Sequence, residues 1–305
     1  MAARQRWPRG RVTRSARVTA QAKVNLLLRV LAREASGYHS IETVFLRLDL
    51  GDEVRVRLAP GRSLECSGLA MPSRGLGPTE KNLAYRAALA YADATGWPSG
   101  FAIEIEKRIP VGGGLGGGSA DAGAVLRILD ALSPNPLGTR LVELAAALGA
   151  DVAFMTIESP MALAWGRGER LYPLHALDPR HVALVVPDFA VATADAYAWL
   201  AADRGSYASI GQVIAPDSLA TWESIALIAT NDFERVVAAR HPVVAELVDE
   251  LASRDALLSM LSGSGSAVYG VFDEPPDAPA ITRSTGLSTI VSRTSDRVVR
   301  VELEQ

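Results

Sequence analysis

The chain has 305 residues, of which 49% are hydrophobic and 21% charged, and its formal net charge at pH 7 is -3. That length allows two hydrophobic cores, and the small net charge offers no general attraction to nucleic acid. A single cysteine, Cys66, excludes an internal disulfide and a cysteine metal cluster, and suits a reducing, cytoplasmic setting. No apolar run reaches the length of a membrane span.

Residues 1–16 contain Arg4, Arg6, Arg9, Arg11 and Arg14 and no acid. Without an apolar stretch no secretory signal is expected; the arginine-rich, acid-free start leaves an organelle transit peptide as the alternative to the expected disordered basic tail. Arg17 to Val30 reads as two extended strands carrying Lys23, and Val54, Val56 and Leu58 alternate with Arg55 and Arg57 as one amphipathic strand. Leu69 to Pro78 is a Gly/Pro/Ser-rich loop. Asn82 to Thr95 is an alanine-rich helix ended by Gly96 and Pro98. Phe101, Ile103 and Ile105 alternate with Ala102, Glu104 and Glu106 as a half-buried strand.

Next comes Pro110-Val111-Gly112-Gly113-Gly114-Leu115-Gly116-Gly117-Gly118-Ser119-Ala120, followed by an apolar helix from Ala120 to Leu132. Glycine lets backbone approach a ligand closely, and a helix start supplies unpaired N–H groups and partial positive charge. Strand, glycine loop and helix in this order point to an anion site, most simply phosphate. The competing bland reading is a flexible linker. Gly112, Gly114 and Gly117 satisfy G-x-G-x-x-G, but no second strand ending in an acid follows, and the lysine of a Walker A loop is missing.

A helix over 137–148 is expected to close at Gly149 in C-cap fashion, and a strand over 161–165 follows. The pattern resets around Tyr172 to Pro179, which places a domain boundary there: 17–172 and 173–305. His181 to Val186 is a continuous apolar run, hence a buried strand. Helices are expected over 193–201, with Thr193 as N-cap, and over 218–229, 243–253 and 278–285. A surface loop is expected over 206–216. Strands over 257–261 and 267–272 flank the turn Gly263-Ser264-Gly265, and a strand over 298–303 ends the chain. The mixture favours α+β over a doubly wound sheet.

Pro110 to Ala120 resembles the second motif of the GHMP kinases, Pro-x-x-x-Gly-Leu-Gly-Ser-Ser-Ala, with one extra glycine where many members have serine. The glycine triplets around Leu115 are most similar to the branch acting on 4-diphosphocytidyl-2-C-methyl-D-erythritol in non-mevalonate isoprenoid synthesis. Ala22-Lys23-Val24-Asn25-Leu26 resembles the first motif, Gly149-Ala150-Asp151-Val152 the segment with the catalytic aspartate, and Ser262 to Val268 the third motif. Gly37-Tyr38-His39, Ala194-Asp195-Ala196-Tyr197 and Asn231-Asp232-Phe233-Glu234 are also similar to this branch. The resemblance implies a two-domain fold, ribosomal protein S5 domain 2-like and then ferredoxin-like. It also implies ATP-dependent phosphorylation of the 2-hydroxyl of the cytidyl diphosphate substrate.

From the family come the roles. Asp151 accepts the proton of the substrate hydroxyl. Lys23 pairs with it and stabilises developing charge. Residues Pro110 to Ala120 cradle ATP, with Ser119 offering a hydroxyl. Asn25 binds substrate, Tyr38 and His39 hold cytosine, and Gly263, Ser264 and Gly265 shape the site beside the phosphate loop. Mg²⁺ would arrive with ATP; the sequence names no protein ligand for it. Against these stand a turn aspartate, a solvated lysine, a surface histidine, a helix-capping serine and an ordinary hairpin. A sibling kinase acting on homoserine or a mevalonate derivative, and a silent ligand sensor, are the rival functions. No membrane or nucleic-acid partner is expected.

Overall fold

The computed structural model describes residues 14–33, 39–204 and 214–304. It opens on a 19-residue strand, β1 (Ser15–Arg33), paired antiparallel along its length with β2 (His39–Leu58). One strand forms where two were expected. Register shifts interrupt it between Gln21 and Lys23, between Asn25 and Leu27, and between Val30 and Ala32. Such bulges re-aim side chains without ending the ladder. Because β1 begins at Ser15, the last two residues of the expected tail are paired strand; the tail through Thr13 lies outside the described residues.

Two neighbours divide β2 between them. Its second half pairs with β4 (Phe101–Glu106), which pairs in parallel with β3 (Arg62–Ser67). Its first half pairs with β5 (Met161–Gly166), which continues into β6 (Arg170–Pro173). Strand β3 was not legible beforehand, because Ser63, Glu65 and Ser67 carry little strand preference and the pairing comes from β4.

Four helices cover this sheet. Helix α1 (Leu83–Thr95) is capped by Asn82, whose side chain accepts from Ala84 N, and it ends at the left-handed Gly96. Helix α2 (Gly117–Leu132) begins three residues earlier than its composition suggests. The expected 137–148 helix is α3 (Arg140–Leu148). Gly149 does not close it with a left-handed turn. At φ 166° and ψ 152° it is extended, and its carbonyl accepts from Val152 and Ala153 N–H to start another helix, α4 (Ala150–Thr156). Asp151 therefore sits in the first turn of a helix.

The remaining elements are β7 (His181–Val185), α5 (Thr193–Arg204), α6 (Trp222–Ile228), β8 (Thr230–Asn231), α7 (Asp232–Ala238), α8 (Val243–Ala252), β9 (Leu258–Leu261), β10 (Val268–Phe272), α9 (Ala278–Thr285), β11 (Thr289–Arg293) and β12 (Glu302–Glu304). Thr193 is the first helical residue of α5 rather than a residue before it. The expected 218–229 helix splits into a 3-10 turn at Pro216–Leu219 and α6, which Thr221 and Ser224 start with a capping box. Of the expected 206–216 loop, residues 206–213 lie outside the described residues. The terminal strand shrinks to β12, since Val299 N–H donates to the Gln21 side chain instead of a ladder.

A second sheet, ordered β11-β7-β10-β9, is fully antiparallel. Its strands β7 and β10 are buried on both faces. Val182, Leu184, Tyr269, Val271 and Met260 join the core of the first sheet, while Ala183, Val185, Val268, Phe272 and Leu261 pack with helices α5, α7, α8 and α9. That accounts for the uninterrupted apolar run of β7. The C-terminal region also returns to the first sheet, β8 pairing parallel and β12 antiparallel with β1.

Helix α4 is held at both ends. Buried Arg47 donates to the carbonyls of Phe154 (2.8 Å), Ile157 (3.1 Å) and Ser159 (3.2 Å), satisfying the end of the helix. Burial pushes this guanidinium down to about 9. Along its length α4 packs on α2 at Gly123, where a Cβ would lie 2.8 Å from Met155 backbone. Gly123→Ala is expected to destabilise the protein by about 1–3 kcal/mol through this overlap, read as a lower denaturant midpoint in equilibrium unfolding.

Candidate active site

The glycine loop is built from alternating conformations. Gly112, Gly114 and Gly116 have φ of +84°, +76° and +72°, where a side chain is strained. Gly116 is the N-cap of α2, so Ser119 lies inside the first turn rather than capping it. The N–H groups of that turn have no intrahelical acceptor and stand at the positive end of the helix dipole. The loop lines a cavity of about 220 Å³ together with Leu76, Asn82, Leu83, Lys107 and Asp121. A larger cleft of about 860 Å³, among Glu53, Arg55, Glu104 and Arg108, contains none of the expected residues.

Beside the loop stands Lys23. β1 presents Lys23 and Asn25 on one face, between two of its register shifts. Lys23 is only 3% exposed. Its backbone N–H donates to Leu115 O at 3.0 Å, and its ammonium donates to Asn25 Oδ1 at 2.7 Å. Asp151 Oδ2 lies 3.6 Å from Lys23 Nζ. The Asp151 side chain is 36% exposed, so the pair has a closed cationic end and an open anionic one.

Asn25 departs from expectation. Its Nδ2 donates to Thr43 Oγ1 at 2.7 Å, and Thr43 passes the bond on to Leu27 O. With its oxygen on Lys23 and the residue buried, Asn25 stands behind the lysine instead of facing a substrate.

The third glycine motif touches the loop directly. Ser262 Oγ donates to Gly114 O at 3.1 Å, and Ala267 N donates to Gly113 O at 3.2 Å. A Cβ on Gly114 would lie 2.1 Å from Ser262 O, and one on Gly263 would lie 3.3 Å from Lys23 Nζ. Ser264 Oγ is 3.1 Å from Thr193 Oγ1 at the start of α5. Gly265, with φ of +92°, completes the turn against Leu261.

Several residues in the site had no role assigned from the sequence. Asn231 Nδ2 donates to both Leu261 O and Gly263 O at 2.8 Å, and Glu234 Oε2 accepts from Leu261 N at 2.7 Å. Asp232 accepts from Val30 N at 2.6 Å and pairs with Arg204. The tetrad 231–234 thus fastens the third glycine motif, β1 and α5 together. Tyr197 of α5 stacks on His39, with ring centroids 4.4 Å apart and planes 13° from parallel. Burial, with Asp151 adding to it, pushes the Tyr197 hydroxyl up to about 12. Tyr38, the expected neighbour of His39, lies outside the described residues.

Under the loop, buried Lys107 bonds both Asp52 and Asp121. Asp52 Oδ1 also accepts from Arg108 N at 2.5 Å and Ile109 N at 2.8 Å, which sets the exit of β4 into the loop. Burial works against the Lys107 charge, but the two carboxylates outweigh it and hold the ammonium above its ordinary range. A basic residue between two acids that lie 14 and 55 positions away has no local sequence signal.

Asn231→Ala is expected to cost about 2–4 kcal/mol, since it leaves two buried carbonyls short of a donor. Equilibrium unfolding measures the loss, and hydrogen exchange at Gly263 to Ala267 should rise more than at α1.

Comparison with known proteins agrees with this geometry. The family model of the GHMP kinases N terminal domain matches residues 82–159, and that of the GHMP kinases C terminal matches 217–284. A 4-diphosphocytidyl-2-C-methyl-D-erythritol kinase from Salinibacter ruber is 37% identical over 271 residues, covering 87% of this chain and 93% of the relative. One from Geobacter sp. strain M21 is 39% identical over 258 residues, covering 84% and 89%. A crystal structure of 4-(cytidine 5'-diphospho)-2C-methyl-D-erythritol kinase superposes with a TM-score of 0.73 at 33% identity, covering 92% of this chain and 99% of that one. Homoserine kinase from Cytophaga hutchinsonii shares the fold, with a TM-score of 0.68 at 18% identity, covering 98% and 100%. The chain belongs to the GHMP kinases, in the branch of the 4-diphosphocytidyl-2-C-methyl-D-erythritol kinases.

Proposed function

We propose that this protein transfers the γ-phosphate of ATP to the 2-hydroxyl of 4-diphosphocytidyl-2-C-methyl-D-erythritol, giving the 2-phosphate and ADP, in the cytoplasm and within the non-mevalonate isoprenoid route. The observation that carries this reading is the Lys23–Asp151 pair, 3.6 Å apart, packed against a glycine loop at a helix start. Phosphoryl transfer asks the protein mainly for positioning and charge stabilisation, and both are supplied here.

In this reading Asp151, being open to the cleft, takes or orients the proton of the substrate hydroxyl. Lys23 stabilises the charge that develops on the attacking and transferring oxygens, and Asn25 fixes the direction of its ammonium. The backbone N–H groups of Gly117, Gly118 and Ser119 receive phosphate oxygens, and the Ser119 hydroxyl is a further donor. Gly112 to Gly116 let the triphosphate lie against bare backbone. Pro110 and Val111 lead into that path, and Leu115 and Ala120 anchor it in the core. Residues 17–172 thus hold the nucleotide and the reacting pair, while 173–305 bring Gly263, Ser264, Gly265 and Tyr197 to the same cleft.

Among the described residues no cluster of three or more His, Cys, Asp or Glu is arranged to hold a metal. Mg²⁺ that enters on the phosphates of ATP needs few protein ligands. When bound it would neutralise phosphate charge.

The cytidine end fits His39, with Tyr38 beside it in the chain and Tyr197 stacked on its ring, because flat aromatic faces hold a base by stacking. This feature favours the cytidyl substrate over homoserine or mevalonate, which have no base. A ligand sensor would need neither Lys23 nor Asp151.

ADP release from ATP and Mg²⁺ should occur with 4-diphosphocytidyl-2-C-methyl-D-erythritol and not with homoserine or mevalonate; turnover of a control instead would overturn the substrate assignment. Asp151→Asn should lower kcat by about 10²–10⁴-fold, the usual range for a lost general base, with ATP affinity little changed. Near-normal turnover by that variant would remove Asp151 from its role.

A further inference from the structure

The cavity under the glycine loop contains an acceptor that the protein leaves unused. Asp121, one turn into α2, is 3% exposed. Its Oδ2 accepts from Lys107 Nζ at 2.7 Å, while its Oδ1 is buried and has no hydrogen-bond partner. A buried carboxylate oxygen without a donor is costly. Asp121 lines the same cavity as Asn82, Leu83 and Gly112 to Gly118, so a ligand in that cavity can supply what the protein does not.

We propose that Asp121 Oδ1 accepts a hydrogen bond from the nucleoside of the bound nucleotide, through its exocyclic amine or a ribose hydroxyl, so that Asp121 is a nucleotide-specificity residue. The inference rests on the reading of this loop as an ATP site. Phosphate oxygens are acceptors only and are repelled by a carboxylate. The donors of ATP are its amine and its two ribose hydroxyls, which leaves the nucleoside to face Asp121. A divalent cation suits the position less well, because the Lys107 ammonium already occupies the other oxygen of the same carboxylate.

The surrounding charges sharpen the prediction. Lys107 from the end of β4, Asp52 from β2 and the Cys66 thiol from β3 are the ionisable groups around Asp121. Burial raises the Asp121 carboxyl to about 7. The free protein therefore takes up a proton there more readily than an exposed aspartate does. A donor from the nucleotide bonds the ionised form, so binding expels the proton, and nucleotide affinity rises as pH climbs through about 7.

Calorimetric titration of the full chain with the Mg²⁺ complexes of ATP, ITP, 2'-deoxy-ATP and 3'-deoxy-ATP, at pH 7 in two buffers of different ionisation enthalpy, tests this. Wild type should release protons when it binds ATP. ITP, which replaces the amine with an acceptor, should bind about tenfold more weakly if the amine is the donor; one of the deoxy nucleotides should show that loss if a hydroxyl is. In Asp121→Asn the amide oxygen stays on Lys107 and the amide N–H₂ faces the cavity. That variant should lose about tenfold in ATP affinity, lose the proton release, and no longer prefer ATP to the weakened analogue. Unchanged analogue ratios in the variant, or no proton release by wild type, would overturn the role of Asp121 while leaving the kinase reading intact. Wild type that binds none of the nucleotides would overturn the ATP site itself.

Discussion

One buried ammonium organises the site. Lys23 is taken from water in the middle of a long strand, and a charge so placed is tolerated only with close partners. Asn25 provides one from the same strand, and Asp151 the other from the first turn of α4. Both neighbours have to come within a few ångströms, which dictates small residues all round. A Cβ on Gly116 would meet the Lys23 Cγ at 3.0 Å, and one on Gly263 would crowd its Nζ. The glycines of the two motifs therefore make the room that the lysine needs.

The same closeness joins the two halves of the chain. Gly114 and Ser262 approach so tightly that no side chain fits between their backbones, and the contact is sealed by hydrogen bonds from Ser262 and Ala267. Asn231, Asp232 and Glu234 then fix the third glycine motif to β1 and α5. Tyr197 and His39, from different halves, stack at the edge of this arrangement. The Lys23–Asp151 pair, the glycine loop and the His39–Tyr197 stack are thus one connected body, the kind of arrangement that a reaction dependent on alignment needs.

Charge is laid out in layers. Asp52, Lys107 and Asp121 form a buried cluster of two carboxyl groups around one ammonium, beneath a loop whose backbone N–H groups attract anions. Asp52 spends its second oxygen on two loop-entry N–H groups, while Asp121 keeps one oxygen free. At the far end of α4, Arg47 satisfies three carbonyls and leaves Asp151 at the opposite end facing the cleft.

What was legible from the sequence is what depends on neighbours in the chain. The glycine loop between strand and helix, α1 with Asn82 and Gly96 at its ends, the buried β7 and the helix α9 all follow from spacing, capping and turn chemistry within a dozen residues. The order of the motifs also carried the family and its reaction. What only the tertiary structure decided depends on distant partners. Strand β3 exists because β4 pairs with it, and β8 and β12 because β1 is long enough to receive them. Gly149 starts α4 as well as ending α3, because its N–H donates to Ala145 O while its carbonyl accepts the helix-opening bonds, and Met155 then packs against Gly123. Asn25 turns to Thr43, Tyr197 reaches His39, and Asp52 and Asp121 meet on Lys107 across separations of 55 and 14 residues. Hydrogen bonds and charge pairing of that range leave no periodic trace in a chain, because the pattern of one segment says nothing about which other segment will lie against it.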